Sequence, residues 1–97
     1  MASVRELKKD IDLVMSLALS DCFYVLEYNE KVNSEAVMKI ATEIIQGHRQ
    51  LRIRANHVDG KDNPKLVKQF YKGLIGDLLS AADTALEKLS TEVKKVV

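Results

Sequence analysis

Apolar and polar residues alternate along this chain with a helical period. Val4, Leu7, Ile11, Val14, Met15, Ala18, Cys22 and Val25 recur at steps of mostly three and four, the spacing that lines one face of an α-helix. Ser3-Val4-Arg5-Glu6 has the form of a capping box, with Ser3 as cap and Glu6 reaching back. No glycine or proline breaks the run before Tyr28, and Asn29 to Asn33 reads as a turn. Asn33 or Ser34 can cap a second helix, with Glu35 favourably placed in its first turn. The second stripe is Val37, Ile40, Ala41, Ile44, Leu51, Ala55 and Val58, stopped by the turn dipeptide Asp59-Gly60. Asp62-Asn63-Pro64 restarts the chain with a cap and a proline at the first helical position. The third stripe then runs through Val67, Phe70, Tyr71, Leu74, Leu78, Ala81, Ala82, Ala85, Leu89, Val93 and Val96.

This pattern predicts an all-α protein with helices over about 3–28, 34–58 and 63–95 in one domain. The turns are short, so the expected architecture is an antiparallel three-helix bundle, up-down-up, with near-parallel packing. The lengths are unequal. Helices of about 25 residues span roughly 38 Å, and a third helix running to the end of the chain reaches near 50 Å. Its last two turns, with Leu89, Val93, Val96 and Val97, are expected to overhang the others and either fray or pack elsewhere. Gly47, Gly73 and Gly76 interrupt the second and third helices. Each weakens its helix by roughly 1 kcal/mol relative to Ala, and the expected return is close approach of a neighbouring helix.

The apolar surface is larger than three stripes need. Leu13, Leu17, Leu19, Phe23, Tyr24 and Leu26 fall outside the main stripe of the first helix, and Leu79 and Leu86 fall to one side of the third. A helix apolar nearly all round is normally buried all round, and two neighbours cannot enclose it. The pattern therefore predicts self-association, most simply a two-fold homodimer through the first helix and the distal half of the third. One half of a heteromeric complex with another helical protein would bury the same residues.

Composition adds limits. Hydrophobic residues make up 46% and charged residues 30% of the 97, which suits a globular domain rather than a disordered one. The single cysteine, Cys22, excludes an internal disulfide framework and fits a reducing compartment. The first residues show no signal-peptide pattern, and Ser16, Ser20, Asp21 and Glu27 break the longest apolar stretch, so no membrane partner is expected and the expected location is cytoplasmic. The net charge is +1 but unevenly placed. Residues 1–32 carry four Lys/Arg against six Asp/Glu, a net of −2, whereas residues 46–65 carry five against two, a net of +3, with both histidines.

Three chemical possibilities follow. His48 falls within the second apolar stripe, where an imidazole needs a hydrogen-bond partner. Counting outward from the second turn sets it level with about residue 74, so Tyr71 or Asp77 is the expected partner. A ligand-binding or enzymatic pocket around His48, Tyr71 and Asp77 stands beside the plainer expectation of a satisfied core histidine. Arg49, Arg52, Arg54 and Lys61 form a basic segment that could hold phosphates of a nucleic acid or another anion. No stacking aromatics lie within it, and a solvated basic face is the plainer reading. His57 is exposed by phase and open in principle to phosphotransfer, although it ends its helix. No metal or cofactor is expected, because zinc-ligand spacings, phosphate loops and nucleophile elbows are missing and Cys22 falls on the apolar stripe. The chain therefore reads as a non-enzymatic interaction or structural protein, with anion binding and a His48 pocket as alternatives.

Overall fold

A computed structural model describes residues 4–57 and 63–96. It holds three helices, α1 (Val4–Tyr28), α2 (Ser34–Asn56) and α3 (Pro64–Lys94), packed as a three-helix bundle. Ser3, Val58, the Asp59-Gly60 stop, Lys61 and Val97 lie outside the described residues.

The helix starts are set by asparagine caps. Asn33 is extended at φ −70°, ψ 102°, and its side-chain oxygen accepts the Ala36 N–H at 3.2 Å. Asn63 accepts the N–H groups of Lys65 and Leu66 at 3.0 and 3.4 Å, with Pro64 following in the first turn, where no N–H is needed. Between α1 and α2 the Asn29 N–H donates to the Val25 carbonyl and the Val32 N–H to the Asn29 carbonyl, and Val32 turns into the core.

The core is an aliphatic seam. Leu7, Ile11, Met15, Ala18, Cys22 and Val25 from α1 meet Val37, Ile40, Ala41, Ile44, Leu51 and Ala55 from α2. Leu74, Leu78, Ala82, Ala85 and Leu89 close it from α3. No polar or charged side chain is buried among the described residues. Each of these core positions belongs to the stripe its helix shows in the sequence, the expected result of burying one face per helix.

Two expectations are corrected here. The distal end of α3 does not overhang: Leu89 is buried, while Val93 and Val96 pack against the core, Val96 beside Glu27, Tyr28 and Lys31. The unpacked length is at the other end, where Leu74 is the first buried residue of α3 and Pro64 to Leu66 are exposed. The run from Leu74 to Leu89 sets the register, and the α1–α2 turn receives the last turns of α3. The glycines also differ from expectation. A Cβ on Gly73 or Gly76 would meet nothing within 4 Å, so no helix approaches there. One on Gly47 would sit 3.6 Å from Met15 Cε, an ordinary contact.

Candidate functional site

The outward face of α1 carries a stripe of exposed apolar side chains. Leu13, Leu17, Tyr24 and Tyr28 follow at spacings of four, seven and four residues. At about 100° per residue they fall within roughly 60° of arc, turned away from the core stripe. Their exposures are 60, 59, 61 and 65%. The Tyr24 and Tyr28 rings rest on each other, with centroids 4.5 Å apart and planes tilted by 39°. Beside them α1 and α3 form an open groove lined by Asp21, Tyr24, Leu86, Leu89 and Val93. Leu79 and Leu86 of α3 are exposed, while Leu19 and Leu26 of α1 pack against the core. Phe23 is exposed outside the four-residue stripe, and α2 exposes Met38, Ile45 and Ile53.

His48 is half-buried and faces α1, not α3. Its Nε2 lies 2.6 Å from Asp12 Oδ1, with the two side chains 34 and 40% exposed. Arg52 Nη1 reaches the same carboxylate at 3.4 Å. The expected contact to Asp77 or Tyr71 is not made. Asp77 is exposed and pairs with Arg54 at 2.8 Å, and Tyr71 packs against the core beside Phe70, ring centroids 6.1 Å apart. The level count from the second turn misplaced His48. The Arg54–Asp77 and Glu43–Lys88 pairs share one register, in which position 48 stands level with about Asp83. The first turn is the better origin: counted from it, residue 48 is level with about residue 14, one helical turn or less from Asp12. Asp12 stands next to the Ile11 core position, the sequence signal that places its carboxylate at the edge of the α1 stripe.

Of the basic segment, Arg49, Arg52 and Arg54 are among the described residues. Arg52 points to Asp12 and Arg54 to Asp77, while Arg49 is exposed. Two of the three described arginines thus have carboxylates beside them, which lowers the local positive potential. Lys61 lies outside the described residues. His57 is exposed at the C-terminal cap of α2, where its N–H donates to the Arg54 carbonyl. Cys22 is buried on the core face, and burial, with the adjoining Asp21 carboxylate, pushes its thiol up from the ordinary range. No group of three or more metal-ligating side chains comes together among the described residues. No helix there is long and apolar enough to cross a membrane. No protein-family model, curated protein or solved structure matches this chain.

Proposed function

We propose that this chain is a non-enzymatic helical interaction protein that works as a homo-oligomer through the outward face of α1 and the flank of α3. The observation that supports this is the stripe of Leu13, Leu17, Tyr24 and Tyr28, more than half exposed on a helix whose other face already fills the core. Large aromatic and leucine side chains left in water cost free energy that association recovers, about 25 cal/mol per Å² of apolar surface. Tyrosine suits such a surface because its ring packs while its hydroxyl stays wet. Leu86, itself exposed, lines the α1–α3 groove beside Tyr24 and extends the patch onto α3, beyond the scattered single residues of an ordinary monomer surface.

The test compares wild type with Leu17→Asp/Tyr24→Asp by light scattering coupled to size exclusion. Wild type is expected at about 22 kDa, twice the chain mass of 10.9 kDa, and the double variant at one chain mass with unchanged helical circular dichroism. A wild-type monomer that binds no apolar dye would overturn the proposal.

A further inference from the structure

We infer that a second copy lies antiparallel on α1 about a two-fold axis between Ser20 and Asp21, so that the leucine end of each stripe packs on the tyrosine end of the other. This rests on the self-association proposed above and adds its geometry. The four stripe residues are placed symmetrically about the Ser20–Asp21 bond. Leu17 and Tyr24 stand equally far from it, and so do Leu13 and Tyr28. A two-fold axis there sets Leu17 level with Tyr24 of the second copy, and Leu13 level with Tyr28.

The two ends complement each other in shape. Tyr24 and Tyr28 form a paired-ring platform, and Tyr24 borders the groove with Leu86 and Leu89. A leucine from the second copy can cover a ring face and reach that groove, as a knob enters a hole between helices. Charge also selects the antiparallel sense. A parallel pair would set Asp10 level with Asp10, whereas the antiparallel sense separates the two carboxylates by about 32 Å along the helix. Ser20, small and exposed, sits where the two backbones come closest. Asp21 meets its own copy near the axis in either sense, so it does not choose between them.

Disulfide trapping tests the arrangement. Leu17→Cys and Tyr24→Cys chains, each carrying Cys22→Ser and tags of different size, are oxidised alone and mixed, with light scattering on the same samples. The mixture is expected to form the mixed-tag disulfide dimer in at least five-fold excess over either chain alone. A Leu17→Cys chain that cross-links to itself as readily overturns the antiparallel axis. A dimeric mixture without the mixed disulfide also overturns it, yet leaves self-association standing, whereas a monomer by scattering removes both. A nitroxide on Lys9→Cys leaves the stripe intact and checks the result independently. Antiparallel copies put the labels roughly 35 Å apart along the helix, and a short distance contradicts the inference.

Discussion

At the scale of single residues, the clearest interhelical polar contact is Asp12 with His48 and Arg52. It ties α1 to α2 outside the apolar seam, and its partial exposure limits its strength. Asp12→Ala and His48→Ala are each expected to destabilise the fold by about 0.5–1.5 kcal/mol in urea unfolding. A double-mutant cycle should return a coupling of about 0.5–1 kcal/mol, and additive effects would mean the contact contributes nothing. His48 was legible as a residue needing a partner, but the partner was not. A stripe fixes the phase of a residue on its own helix, whereas its level on a neighbour depends on which turn sets the register. The glycines were misread for a related reason, since a sequence shows where a side chain is missing and not whether anything fills the space. Gly73→Ala and Gly76→Ala meet open space, so each is expected to stabilise α3 by about 0.5–1 kcal/mol. A loss of stability in thermal unfolding would show that something does pack there. Cys22, buried and with its thiol pushed up, is expected to resist a thiol reagent in the folded protein and react fully in denaturant.

At the scale of elements, each helix follows from a stripe and a stop signal. Asn63 and Pro64 start α3 as the sequence indicates, and Asn33, one of two candidate caps, starts α2. Asn33→Ala and Asn63→Ala are expected to cost about 1 kcal/mol each, measured as lowered urea midpoints. The end of α3 was not legible because the overhang estimate compared helix lengths alone. The buried run from Leu74 to Leu89 shifts α3 along the bundle until Val93 and Val96 reach the core beside the α1–α2 turn. The excess apolar surface of α1 was legible directly, since eight stripe positions fill one face and Leu13, Leu17, Phe23 and Tyr24 remain. Only the structure separates these from Leu19 and Leu26, which are partly buried against the core.

At the scale of the whole molecule, the chain is a rod of 53 × 18 × 17 Å with a radius of gyration of 15.7 Å, against about 12.5 Å for a compact domain of this length. Slender bundles have little interior for their surface, and this core uses aliphatic residues with Met15 and Cys22, with no polar or charged side chain buried among the described residues. The proposed association along the rod would thicken it and give α1 an apolar environment on both faces, which ties the sequence pattern to the proposed role. The most direct test is the molar mass of the unmodified chain by light scattering across a hundred-fold dilution. The account predicts about 22 kDa at high concentration, falling toward 10.9 kDa on dilution as a reversible dimer dissociates. A mass fixed at 10.9 kDa at every concentration would contradict it.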